Sequence, residues 1–181
     1  MHAPTLPPLP APLRQAWAEH GSAKRSLDLV GALALLALLS LPLALLALAL
    51  VPSGHPFVRE LRLGRAGRPF RTWRFRAEGD RVAAALDLCA LAGLPQLLNV
   101  VRGEMSLVGP CPQARTEHPE RLLVRPGMTG LWQVSARSDL PWEEMSLLDR
   151  HYVESHWLGM DLAILAQTPR AALRLRRGRQ A

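Results

Sequence analysis

The residues best suited to chemistry in this chain are its arginines. Arg59, Arg62, Arg65, Arg68, Arg71, Arg74 and Arg76 fall within eighteen positions that hold one acid, Glu60, and Arg170, Arg174, Arg176, Arg177 and Arg179 crowd the C-terminal end. Guanidinium groups at this density suit phosphate, which they bind through paired hydrogen bonds, or anionic lipid headgroups. The first cluster therefore reads either as phosphate ligands or as charge facing a membrane. Other chemistries find less support. His118, His151 and His156 lack the spacing of a metal site with a third ligand. Cys89 and Cys111 form no metal-like pattern and are expected to stay reduced, without a disulfide. Few aromatic residues interleave with the basic ones, so nucleic acid is not the expected partner. Trp132 and Trp142 read as packing or interfacial anchors.

Something must hold these groups at a surface. The chain has 181 residues and a formal charge of +7, and 49% of it is hydrophobic although only 5% is aromatic. The aliphatic excess is concentrated between Leu29 and Val51, which carry no charge. Such a run is long enough to enter or cross a bilayer core of about 30 Å. Pro42 sits inside it and is expected to kink the helix. Lys24 and Arg25 mark the entry as cytoplasmic, and the exit leads straight into the arginine-rich segment, which is costly to translocate. A kinked helix that enters and leaves on one face meets both demands; a spanning helix is the alternative, and a cleaved signal peptide fits the length poorly.

Around this helix the expected order is a proline-rich flexible arm over 1–23, the membrane helix over 24–52 and a folded domain over 53–181. Arg59 to Arg76 reads as a β-hairpin turning at Gly64–Gly67. Residues 77–91 start polar and become a short Ala/Leu-rich helix. Leu94, Leu97, Leu98 and Val101 recur at i, i+3, i+4 and i+7, one buried helix face, and Gly103 ends that helix. A short apolar strand then runs to the Gly109-Pro110 turn. Leu131 to Val134 alternates like a strand after the Pro126-Gly127 and Gly130 turns, and a helix starts near Pro141. From Trp157 the pattern is amphipathic and then basic, as in a helix lying in an interface.

Several of these segments, in this order, resemble the bacterial sugar transferases, the monotopic polyprenyl-phosphate phosphoglycosyl transferases. Leu94-Pro95-Gln96-Leu97 is similar to the end of that family's S-L-D-E-L-P-Q-L motif. Lys24, Arg25 and Asp28 match its K-R-x-x-D opening, and Arg74-Phe75-Arg76 its Lys-Phe-Arg. Pro126 to Arg137 resembles P-G-x-T-G-L-x-Q-V-x-G-R, and Asp149 with Tyr152 matches D-x-x-Y.

The resemblance implies a membrane-anchored α/β domain, α+β in character, with a kinked re-entrant helix, a small hairpin-bearing sheet and interfacial amphipathic helices. It implies residence on the cytoplasmic face of the inner membrane and a role in exopolysaccharide or other glycoconjugate assembly. The reaction would transfer a phosphosugar from a nucleotide diphosphate sugar to polyprenyl phosphate, with membrane lipids and further copies or other chains as partners. An Asp would attack the sugar-linked phosphorus and the adjoining Glu would help hold Mg²⁺. Arg74, Arg76 and Arg137 would then contact phosphate or nucleotide.

This chain departs from that pattern where the chemistry lies. The Asp-Glu pair reads Ala92-Gly93, the Arg of the closing Pro-Arg-Pro reads Cys111, and an upstream Arg position reads Asp87. With a gap before Leu94, Leu86-Asp87 aligns with the family's Leu-Asp, which makes Asp87 the candidate substitute nucleophile. Glu104 falls on an acidic position that relatives share and is expected to be structural. The expectation is therefore either a transferase with an impaired site or a relative that binds lipid phosphate, nucleotide sugar or a partner protein without turnover.

Overall fold

The computed structural model describes residues 11–51, 56–76, 91–115, 118–135 and 141–178. It is a mixed structure of helices and two small sheets, fronted by one long apolar helix. That helix, α1 (Ala11–Leu50), continues through Pro42 over 40 residues. It starts well before residue 24, so the latter half of the expected proline-rich arm is helical. The physical reason is local: Pro12 falls in the first turn, where its missing N–H donor breaks no intrahelical bond, and the residues that follow are mostly strong helix formers.

The first half of α1 is bolted to the rest of the molecule. Lys24 Nζ donates to Asp161 Oδ2 at 2.7 Å, to Tyr152 OH at 3.2 Å and to Val108 O at 3.1 Å. Arg25 donates to Val100 O at 2.7 Å and Val101 O at 3.0 Å. Asp28 accepts from Ser106 Oγ and from the Leu107 backbone N–H, both at 2.9 Å. A Cβ at Gly31 would lie 2.7 Å from Leu107 Cδ1, so glycine permits the close approach of helix to strand. Beyond Ala32, apolar side chains such as Leu38, Leu41 and Leu48 are exposed, and the most apolar 18 consecutive residues of Gly21–Leu50 have a mean hydropathy of 2.7. It is long and apolar enough to cross a membrane. At its far end Leu50 is buried against Phe75, with Leu43, Leu46 and Ala47 packed around them.

The expected hairpin is present. Strands β1 (Phe57–Leu63) and β2 (Pro69–Phe75) pair antiparallel, from Phe57 opposite Phe75 to Leu63 opposite Pro69. A 3-10 helix (Leu91–Gln96) then leads into α2 (Leu97–Arg102), which Gly103 ends at φ 85°, in the left-handed conformation. The buried face differs from the expected one: Leu97, Asn99 and Val100 are buried while Leu98 is 40% exposed. Asn99 is drawn inward by hydrogen bonds to Arg71 O, the Trp73 N–H and Glu104, contacts that apolar periodicity does not register.

Strand β3 (Ser106–Val108) pairs in parallel with β4 (Gly127–Thr129). Gly109, Gly127 and Gly130 meet backbone to backbone there, since a Cβ on any of them would come within 3 Å of main-chain atoms. Residues Leu131–Val134 form a helical turn, α3, rather than a strand. The Gln133 and Val134 N–H groups both bond back to Gly130 O, a closure that a four-residue alternation cannot signal. Helices α4 (Trp142–Ser155) and α5 (Leu158–Gly178) follow as expected. The main core gathers Ala32, Phe70, Leu97, Val100, Met105, Leu107, Val108, Val134, Tyr152 and Ile164.

Candidate functional site

Ala92 and Gly93 lie in the 3-10 helix that enters α2. Ala92 is 2% exposed, and neither residue offers a side-chain oxygen. The space beside Gly93 is open, its nearest neighbour for an added Cβ being Gln96 Nε2 at 3.7 Å. Ala92 therefore works as a packing residue, and no covalent or metal chemistry can start from this pair.

Asn99 fixes this segment against the hairpin. Fully buried, it donates from Nδ2 to Arg71 O at 2.8 Å and to Glu104 Oε2 at 2.6 Å, and its Oδ1 accepts from the Trp73 N–H at 3.3 Å. Its own carbonyl accepts from the N–H groups of Glu104 and Met105. Glu104 is thereby engaged in holding Asn99. No periodicity argument singled out Asn99; the available signal was a polar residue inside the apolar run Leu97-Leu98-Asn99-Val100-Val101.

Holding β2 in register positions Arg74 near its end. Arg74 Nη1 stands 4.0 Å from Glu60 Oε1, and the other Glu60 oxygen pairs with Arg62. Arg76 follows, with its backbone N–H bonded to Pro56 O; among the described residues its buried Nε has no hydrogen-bond partner. On the β1 face Arg59 stacks over the Trp73 ring, its Cζ 3.9 Å from the centroid, as in a cation–π contact.

Cys111 sits in the turn after β3. Burial first, then the Asp149 charge, raises its thiol pKa, while Arg121, Arg62 and Arg74 act in the opposite direction. The thiol thus stays protonated and inert in a basic surrounding. Behind it, buried Arg121 pairs with buried Asp149, which also accepts from the Cys111 N–H. Burial pushes the Asp149 carboxyl up to about 6 against those two attractions. The structure thus gathers Cys111, Arg62, Arg74, Arg121 and Asp149 around the end of the β3 turn. Sequence reasoning named Arg62 only as one of the arginine cluster and Asp149 only as a motif match, and it missed Arg121, because the burial and pairing of Arg121 with Asp149 follow from contacts between distant elements.

Asp87, the candidate substitute nucleophile, and Arg137 lie outside the described residues, as do Cys89 and residues 77–90 of the expected Ala/Leu-rich segment. Among the described residues no group of three or more His, Cys, Asp or Glu side chains converges. The positions that would carry the ligands hold Ala92 and Gly93, so the residues described do not fit Mg²⁺, and no step is routed through it. What this arrangement can do is bind an anion, through the arginines at the end of the hairpin.

The sequence matches the model of a known family, described as bacterial sugar transferase, over residues 19–175. It is 35% identical over 192 residues to the exopolysaccharide production protein ExoY of Sinorhizobium fredii, covering 82% of this chain and 84% of that protein. It is 37% identical over 180 residues to a UDP-glucose:undecaprenyl-phosphate glucose-1-phosphate transferase of Caulobacter vibrioides, covering 80% of this chain and 67% of that one. A UDP-galactose-lipid carrier transferase of Erwinia amylovora is 36% identical over an alignment of 195 positions that covers 83% of this chain; the chain spans only 41% of that larger protein.

Proposed function

The chain belongs to the bacterial sugar transferase family, and on that premise we propose that it acts in exopolysaccharide or related glycoconjugate assembly as a very slow phosphosugar transferase. It engages a nucleotide diphosphate sugar and polyprenyl phosphate. In the reaction the bond between the sugar-linked phosphorus and the nucleotide's bridging oxygen breaks, the nucleoside monophosphate leaves, and a polyprenyl phosphate oxygen takes its place on phosphorus. The names of two relatives, each of which pairs a nucleotide sugar with a lipid carrier, support this choice of substrates.

One observation carries the slow turnover: buried Ala92 and side-chain-free Gly93 stand where the nucleophile and its neighbour are expected. Loss of a covalent-catalysis group costs on the order of 10⁴-fold or more. The same observation favours a second reading, binding of the two substrates with no turnover at all. A radiolabelled sugar-phosphate transfer assay on the purified protein in detergent separates the two.

The chain works at the inner membrane with its folded part on the cytoplasmic face. Two contacts support a helix that enters and leaves on one side. Arg25, at the start of the apolar run, is bonded to α2, and Leu50, at its end, is packed on Phe75 of β2. Strand β2 is itself hydrogen-bonded to α2 through Asn99. A bilayer crossing between Ala32 and Leu50 would set those two attachments on opposite faces.

A further inference from the structure

A cleft of about 520 Å³ opens between the turn of the β1–β2 hairpin and the C-terminal end of α2. This volume lies within the range of small-ligand pockets. Its walls carry Arg65, Arg68, Arg102 and Arg125 against a single acid, Glu104, with Phe70 as the apolar side. It shares no lining residue with the Ala92-Gly93 pair, the Cys111 turn or Arg74, and it lies at the opposite end of α2 from Ala92.

The fold builds this charge in rather than leaving it on loose side chains. Ala66 at φ 57° and Gly67 at φ 70° are consecutive left-handed residues that set the turn between Arg65 and Arg68. The turn is closed by the Gly64 N–H donating to Arg68 O at 2.8 Å. Arg125 donates from Nε to Gly103 O at 2.9 Å, which satisfies a carbonyl at the helix end and anchors the guanidinium at the cleft. Among the described residues that is its one hydrogen bond, so its terminal nitrogens remain available. Arg102 lies 5.7 Å from the Trp73 ring centroid. Glu104 is held by Asn99, and among the described residues none of the four arginines pairs with a carboxylate.

Such a grouping repels itself. Burial first, then the charges of Arg25 and Arg65, lowers the Arg125 pKa below its ordinary value. A ligand with two or three negative oxygens relieves that repulsion and meets planar donors suited to bidentate contact. A neutral sugar or an apolar chain gains nothing from it.

We propose that this cleft is a second phosphate-binding pocket, separate from the candidate site, taking a phosphate or diphosphate group presented by a soluble ligand or by a lipid headgroup.

The test uses the full chain in a zwitterionic detergent. Inorganic pyrophosphate, and separately a short-chain phosphatidylglycerol below its micelle concentration, are titrated calorimetrically into Arg74→Ala protein, so that the candidate site's own contact is removed. Arg65→Glu/Arg68→Glu is then added. Both residues are exposed, so the fold is expected to survive, which a thermal melt checks. The pocket predicts roughly a tenfold or greater loss of affinity, and a similar loss in Arg125→Ala, with binding that weakens as salt is raised. A loss for pyrophosphate identifies a soluble phosphate source, and a loss confined to phosphatidylglycerol identifies the lipid headgroup. Affinities unchanged by both variants, or no binding of either probe at millimolar concentration, overturn the proposal. The transfer reaction plays no part in the result.

Discussion

Lys24 and Asp161, 137 positions apart, form a buried ion pair of 2.7 Å that joins the start of the long apolar helix to the start of the last one. Tyr152 closes the group, its OH donating to the other Asp161 oxygen at 2.6 Å. Burial first, then Asp161, raises the Tyr152 pKa far above its ordinary value, so the hydroxyl stays a donor at any working pH. The pair sets where α1 leaves the folded body.

Removing one partner of this pair leaves the other buried and unpaired. Asp161→Asn is expected to destabilise the protein by about 3–5 kcal/mol. Lys24→Met combined with Asp161→Leu is expected to recover most of that loss, because two uncharged side chains replace a desolvated pair. Thermal denaturation in detergent compares the three proteins.

Asn99→Leu keeps the branching and heavy-atom count of the side chain and leaves Arg71 O, the Trp73 N–H and the Glu104 carboxylate without their partner. We expect a loss of about 1–3 kcal/mol, read from the denaturation midpoint. Because Asn99 registers β2 against α2, hydrogen exchange of the Trp73 amide should rise as well. An unchanged Trp73 amide would show that β2 is held some other way.

Asp149 titrates near 6 in the folded protein, above its ordinary 3.8. Between those values the folded state holds the proton more tightly than the unfolded one. Its contribution therefore favours folding below about pH 4 and is lost as the pH rises through 6, each unit of displacement corresponding to about 1.4 kcal/mol. The slope of stability against pH between 4 and 6 should turn less negative in Asp149→Asn. An identical slope in wild type and variant would remove Asp149 as its source.

The same-side topology is open to labelling. With cysteines placed singly at Ser22 and at Ser53, a membrane-impermeant thiol reagent applied from outside should modify neither. Pro42→Leu should straighten the helix and shift it towards spanning, so that Ser53→Cys becomes reactive. Labelling of Ser53→Cys in the protein with Pro42 intact would establish a spanning helix.

Much of this architecture was legible where a residue type dictates a local geometry. Gly103 stopped α2, Gly64–Gly67 turned the hairpin, and the aliphatic run became one long helix. The features that escaped depend on pairings the chain makes at a distance. Lys24 read as a membrane-flanking charge and Asp28 only as part of a motif, yet both are buried anchors of α1 on β3 and α5. Leu98 is exposed and Asn99 buried, the latter through hydrogen bonds to Arg71, Trp73 and Glu104. Of the site, sequence pointed to Arg74 and to the loss of arginine at Cys111. It gave no sign of the Arg121–Asp149 pair behind that turn, since nothing in the spacing of those two residues brings them together.

The central claim is that this chain retains the family's scaffold while its Ala92-Gly93 pair leaves phosphosugar transfer very slow. The most direct measurement is transfer of radiolabelled sugar phosphate from a nucleotide diphosphate sugar to polyprenyl phosphate, by purified wild-type and Asp87→Asn proteins, beside a relative carrying the Asp-Glu pair. Wild-type transfer is expected to be on the order of 10⁴-fold or more below that of the relative. Transfer comparable to the relative's, surviving Asp87→Asn, would contradict it.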